Sequence, residues 1–166
     1  MRNAATLIRA GAHAVKLEGG RARLPVVEAI IRAEIPVMGH LGLTPQSVLA
    51  MGGRRIDAAK ALSVAGCFAF VIEGVPDVVG TKVTEAVDVP TIGIGAGPAC
   101  DGQVLVFHDL LGLGAGKPPK FVRQYADLGR IATEAVAAFA ADVRSGAFPS
   151  DAETYHAPEG LSDALG

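Results

Sequence analysis

The sequence predicts an α/β fold built on a parallel sheet, and three observations carry that prediction. Helical patterns alternate with short apolar runs along most of the 166 residues, which is the chain order of β/α units joined by crossover helices. The apolar runs are hydrophobic nearly throughout, as in strands that are covered on both faces. Most of these runs end in a polar residue and a glycine, which marks the passage from a strand into a loop.

The elements follow one another in a regular order. The first helix is predicted at residues 3–10, with Asn3 as its N-cap and Gly11 as its stop. Further helices are predicted at 22–34, 57–65, 77–87 and 127–144, and strands at 14–18, 36–40, 68–73 and 90–95. A further short strand at 120–124 is compatible with the pattern. We assign residues 1–149 to one β/α domain and residues 150–166 to a loosely ordered C-terminal tail.

Composition and charge exclude several classes of protein. The net charge of −2 gives no electrostatic basis for binding nucleic acid or an anionic membrane. The longest apolar runs, such as residues 67–72, are too short to span a bilayer, and the first residues lack the apolar core of a signal peptide. Cys67 and Cys100 have the contexts of ordinary thiols. We therefore expect a cytoplasmic protein without nucleic-acid or membrane partners.

The stretch HAVKLEGG at residues 13–20 is the first sign of a ligand site. Side chains alternate along a strand, so Lys16 and Glu18 project from the same face. An exposed ion pair on an edge strand would also explain these two residues. Later predicted strands end in His40 and Glu73, and the carboxyl edge of a parallel sheet is where α/β proteins bind ligands. The three strand ends together favour a site, although a lone histidine there is more often structural. Arg54 and Arg55 are interpreted as a solvated pair.

Four segments resemble the ketopantoate hydroxymethyltransferase family: VKLEGG (15–20), GHLGLTPQSV (39–48), VIEGVP (71–76) and GIGAGPACDGQVLVFHDLLG (93–112). The resemblance runs from about residue 3 to residue 156. It implies a partial (β/α)8 TIM barrel of the phosphoenolpyruvate/pyruvate superfamily, containing the later β/α units only. It also implies hydroxymethyl transfer from 5,10-methylenetetrahydrofolate to 3-methyl-2-oxobutanoate, through an enolate stabilised by a divalent metal, usually Mg2+.

The resemblance also implies roles for the residues at the strand ends. Glu73 matches the family's general base, and Glu18 matches its metal-associated glutamate. Lys16 matches the lysine that binds the oxygens of the keto acid, and His40 matches a pocket histidine to which we assign substrate orientation. The residues that contact the folate are left unassigned. A homo-oligomer, or a complementing N-terminal half, is the expected partner.

The chain also departs from the family. A (β/α)8 barrel takes about 250 residues, and the family's metal-ligating aspartates and a substrate-binding serine have no counterpart here. The segment after Arg54 is shorter than in the family. Two function classes therefore stay open: a hydroxymethyltransferase present as a partial chain or split-gene half, and a non-catalytic remnant that serves in assembly. Another enolate-forming enzyme of the superfamily, such as a lyase, is a third.

Overall fold

The computed structural model describes residues 1–42, 52–114 and 116–158. Residues 43–48 of the GHLGLTPQSV segment therefore lie outside the described residues, as do residues 159–166 of the predicted tail.

The described strands form one parallel sheet in sequential order, which confirms the predicted α/β class. The strands are β1 (Val15–Glu18), β2 (Val37–Leu41), β3 (Ala69–Glu73), β4 (Thr91–Ile94) and β5 (Gly102–Gln103). Every neighbouring pair is parallel. Sequential parallel strands linked by helices are the arrangement of a partial β/α barrel.

The helices fall between the strands as the periodicity predicts. They are α1 (Arg2–Arg9), α2 (Leu24–Ile31), α3 (Gly52–Val64), α4 (Asp77–Thr84), α5 (Phe107–Leu110) and α6 (Leu128–Ser145). Short 3₁₀ helices lie at Arg21–Arg23 and Asp151–Glu153. None of the helices in the described ranges is long and apolar enough to cross a membrane.

Several details differ from the prediction. The suggested strand at 120–124 is wrong: this stretch begins as a turn, in which the Val122 N–H donates to the Pro119 carbonyl. Strand β5 was missed. Helix α1 begins at Arg2, so Asn3 is not its N-cap.

Helices cover one face of the sheet, which we call the helix face. Strand residues Val37, Phe70 and Ile72 on this face form one buried cluster with helix residues Val27, Ile30, Ala58, Ala59, Leu62 and Val83. Phe70 is fully buried at its centre, and burial of one such side chain contributes about 2 kcal/mol. Gly39 lies beside Phe70 in the sheet register. A Cβ at Gly39 would lie 2.5 Å from two ring carbons of Phe70, so the ring occupies the space that a side chain there would need.

The first residue of β4 is hydrogen-bonded to the loop that precedes β5. The Thr91 backbone N–H and hydroxyl both donate to Asp101 Oδ2, at 2.8 and 2.9 Å. Because these bonds favour the ionised carboxylate, the pKa of Asp101 lies below its ordinary value; the backbone bond is the larger cause. Thr91 itself is fully buried.

The chain divides into two compact units. The first comprises Met1–Val106 with Pro119–Val122 and holds the sheet; the second comprises Phe107–Pro118 with Arg123–Gly166. In the second unit, α6 begins at the N-cap Asp127, which accepts from Arg130 N, and ends at Gly146 with a left-handed backbone. Phe139 of this helix meets Phe148 edge to face. The predicted domain boundary at residue 149 stays a prediction.

Candidate active site at the carboxyl edge of the sheet

The sheet register places the predicted site residues on a common face, opposite the helices; we call it the inner face. Glu18 is in register with His40, and His40 is in register with Val71. Glu73 follows two residues later on β3 and therefore projects from the same face. Lys16 lies two residues before Glu18 on the same face of β1, in register with Met38. The strand ends Glu18, His40 and Glu73 share the carboxyl edge, and Lys16 lies deeper on the inner face.

His40 and Glu73 form a direct pair. His40 Nε2 lies 3.0 Å from Glu73 Oε2. A carboxylate can only accept, so His40 carries its proton on Nε2 in this bond. The His40 side chain is 11% exposed and the Glu73 side chain 45% exposed. A buried imidazole thus holds a carboxylate that solvent or a ligand can still reach.

Gly42, just past the end of β2, marks the point where the three strand ends converge. A Cβ built on this glycine would lie 3.5 Å from His40 Nε2, 3.6 Å from Glu18 Oε1 and 3.9 Å from Glu73 Cβ. The imidazole and the Glu18 carboxylate therefore reach the same small space from adjacent strands. The missing side chain at position 42 keeps that space open beside the His40–Glu73 pair.

The inner face also lines a cavity of about 580 Å³. Lys16 and Glu73 are its charged residues, and Met38, Val71 and Ile92 give it an apolar wall. Lys16 is exposed. An ammonium and a carboxylate on an apolar wall can bind a small anionic substrate and exchange a proton with it.

The prediction that Arg54 and Arg55 form a solvated pair is wrong for Arg55. The residue is buried, with 9% of its surface exposed, rather than half of a solvated pair. Its Nη2 donates to the Gly42 carbonyl at 3.2 Å. Arg54 is exposed, as predicted. Arg55 therefore fixes the backbone at the point where Glu18, His40 and Glu73 meet.

A metal ion needs more ligands than this edge offers by itself. Within the residues that the structure describes, no group of three or more His, Cys, Asp or Glu side chains is arranged to hold one. Glu18 is an oxygen donor of the type that Mg2+ prefers, whereas Glu73 is engaged by His40. The described side chains alone therefore do not fit a complete Mg2+ site.

Sequence reasoning missed two features of this site. It placed His40 and Glu73 on one edge but did not predict their contact, which depends on the stagger of β2 against β3. It also missed the role of Arg55, since two consecutive arginines beside glycines are typical of a solvated segment. No local signal was available, because the helix was predicted to begin at residue 57 and both arginines lay outside it, whereas α3 begins at Gly52.

Comparisons with known proteins point to one family. A family model described as ketopantoate hydroxymethyltransferase matches residues 1–151. The 3-methyl-2-oxobutanoate hydroxymethyltransferase of Methylobacterium sp. (strain 4-46) is 54% identical, over 99% of this chain and 62% of that protein. The 3-methyl-2-oxobutanoate hydroxymethyltransferase 2 of Bradyrhizobium diazoefficiens is 50% identical, over 99% of this chain and 61% of that protein. The chain thus spans about three fifths of the length of these curated relatives.

Among solved structures, the YdjI aldolase from Escherichia coli K12 aligns with 66% of this chain and 50% of its own. The identity is 15% and the TM-score is 0.49, a likeness too low to support a conclusion about this chain.

Proposed function

Because the chain belongs to the ketopantoate hydroxymethyltransferase family, we propose that it forms part of an active site for hydroxymethyl transfer. The donor is 5,10-methylenetetrahydrofolate and the acceptor is 3-methyl-2-oxobutanoate, in the synthesis of pantothenate. The observation that supports this most directly is the His40–Glu73 pair beside Glu18, at the carboxyl edge of a parallel sheet. These three residues stand in the segments that resemble the family.

The first chemical requirement is removal of the proton beside the ketone. A general base must stand within hydrogen-bond reach of that proton, and a carboxylate can fill the role. We assign it to Glu73, whose side chain is half exposed on the inner face. His40 orients Glu73 by donating to Oε2, which leaves Oε1 as the oxygen that can accept the substrate proton.

The second requirement is to hold the anionic keto acid while charge develops on its ketone oxygen. We assign this to Lys16, which lines the same cavity as Glu73. An ammonium placed where negative charge develops stabilises the transition state more than the ground state. The apolar wall of Met38, Val71 and Ile92 excludes water from the branched carbon chain.

Glu18 is proposed as one ligand of the Mg2+ ion that the resemblance implies. Water, the keto acid or a complementing N-terminal half would supply the remaining ligands, and no step above passes through the ion. Homo-oligomer formation, a complementing N-terminal half and a cytoplasmic location also stay proposals.

The test is exchange of the C3 proton of 3-methyl-2-oxobutanoate in heavy water, catalysed by the chain together with the N-terminal half of a relative and measured by proton NMR. It needs no folate and reports proton abstraction alone. Glu73→Gln keeps the shape of the side chain but removes the base, and we expect the exchange rate to fall by about 10²–10⁴. Glu28→Gln is the matched control, since Glu28 is a partly exposed carboxylate on α2 that approaches Arg32; its rate should equal that of the unmodified chain.

Two results would count against the proposal. No exchange by the unmodified chain when it is completed by the N-terminal half of a relative, with Mg2+ present, would contradict a role in enolate chemistry. Equal rates in Glu73→Gln and the unmodified chain would assign the base to another group.

A further inference from the structure

A second cavity lies beside the carboxyl edge, outside the inner face. Its volume is about 600 Å³, within the usual range for small-molecule sites. Glu18, Leu41 and Gly42 border it on the side of the proposed active site. The loop after β1 and the first turns of α3 form its other described walls. Of the residues that line it, Glu18 alone has a role in the function proposed above.

The glycine pair after β1 shapes this cavity. Gly19 has a φ of +118°, and a Cβ there would lie 2.6 Å from Arg23 Cγ. A Cβ on Gly20 would lie 3.2 Å from Cβ of Ala58 on α3. The loop can therefore turn sharply and rest its backbone close to the helix. The same loop carries Arg21, which lines the cavity together with Arg54 and Arg55 of α3.

The charges in the cavity favour an anion. Three arginines line it, Arg21, Arg54 and Arg55, against two carboxylates, Glu18 and Asp57. Arg21 and Arg54 are exposed, so each guanidinium can swing onto a ligand, whereas Arg55 is buried and donates to Gly42. Guanidinium groups bind carboxylates through paired, charge-assisted hydrogen bonds. Ala22, Leu41 and Ala58 supply apolar surface for the body of the same ligand.

From this arrangement, we propose that the cavity binds the one-carbon donor, with Arg21 and Arg54 holding its glutamate carboxylates. The proposal rests on the function proposed above, which requires a folate beside the keto acid. A reduced folate has a flat body and an anionic tail, and these match the apolar and basic parts of the lining. Glu18 and Gly42 line this cavity and also lie beside His40 and Glu73, so the body would extend toward the active site while the tail stays on the arginines.

The test compares two ligands by equilibrium titration calorimetry on the whole chain. Tetrahydrofolate carries the glutamate tail, and tetrahydropteroate has the same ring system without it. We expect tetrahydrofolate to bind more tightly, and Arg21→Gln and Arg54→Gln each to weaken it by roughly five- to tenfold, as for loss of a charge-assisted contact. The affinity for tetrahydropteroate should not change in either variant. Arg32→Gln is the matched control, because Arg32 lies outside the cavity and its side chain is 72% exposed.

The outcomes separate this proposal from the one above. Three outcomes would each overturn the cavity proposal. The first is that tetrahydrofolate does not bind, and the second is that the two ligands bind with equal affinity. The third is that Arg21→Gln and Arg54→Gln bind tetrahydrofolate as tightly as Arg32→Gln does. Exchange of the keto-acid proton would continue in those cases, because it needs no folate. Absence of that exchange, with arginine-dependent binding of tetrahydrofolate intact, would instead overturn the proposed reaction and leave the cavity assignment in place.

Discussion

Replacing Gly39 with alanine should destabilise the sheet through one defined collision. The new Cβ would lie 2.5 Å from Cδ1 and Cε1 of Phe70, whereas carbon atoms rest about 3.5–4.0 Å apart at their optimum. The ring is fully buried in the core and has no space into which to withdraw. Either β2 or the ring must move by about 1 Å, and overpacking of this kind costs about 1–3 kcal/mol.

A double-mutant cycle isolates that collision. Phe70→Leu alone should cost about 1–2 kcal/mol, less than the 3–5 typical of Phe→Ala, because part of the side-chain volume remains. In Gly39→Ala/Phe70→Leu the smaller side chain makes room for the methyl group. We expect the double variant to lose about 1–2 kcal/mol less free energy of unfolding than the two single variants lose in sum.

Urea unfolding with linear extrapolation measures all the variants. Gly102→Ala is the matched control, since a Cβ there would meet only Ile92 Cγ1, at 3.9 Å, and its effect should stay within about 0.5 kcal/mol. The steric argument would be refuted if the Gly39→Ala variant were as stable as the unmodified chain. Strictly additive effects of the two substitutions would show that the cost arises elsewhere.

Two further predictions concern acid stability and α6. The pKa of Asp101 is depressed by the bonds from Thr91, so its contribution to folding is present above its unfolded pKa and is lost as the pH falls through the folded value. The free energy of unfolding should therefore drop more on acidification below about pH 4 in the unmodified chain than in Asp101→Asn; equal pH profiles would contradict this. Asp127→Ala removes the N-cap of α6 and its bond to Arg130, which should lower the stability of that helix by about 1 kcal/mol. Amide hydrogen exchange along α6 measures the loss, Asp142→Ala near the other end of α6 serves as control, and unchanged protection would exclude a capping role.

The strands that organise the site are readable from the sequence because they are continuous apolar runs. Strand β3 was predicted at 68–73 and is Ala69–Glu73, and β1 was predicted at 14–18 and is Val15–Glu18. The parallel order followed from alternation with helices, and it placed Glu18, His40 and Glu73 at one edge. The roles of these residues came from the family resemblance and stay predictions.

The missed elements lack a local signal. Strand β5 is two residues long, Gly102–Gln103, and pairs with Ile92 and Gly93 of β4. Helix α3 begins at Gly52 rather than at residue 57, and Arg55 near its start donates to the Gly42 carbonyl, a tertiary contact that helix propensity does not encode. The stretch 120–124, suggested as a strand, instead places Phe121 over Gly95, where a Cβ would lie 2.7 Å from the Phe121 ring. In each case the deciding contact comes from distant residues.

The packing of the Phe70 ring over Gly39 also restricts the register in which β2 can pair with β3. A strand shifted by one residue would turn His40 onto the helix face and away from Glu73. A shift by two would keep the faces correct, but it would bring Val37 or Leu41 against the Phe70 ring, where even a methyl group does not fit. Only one alignment of β2 on β3 therefore satisfies the core, and it is the alignment that brings His40 to Glu73. Gly39, on the helix face, thus sets the register that brings His40 against Glu73 on the inner face.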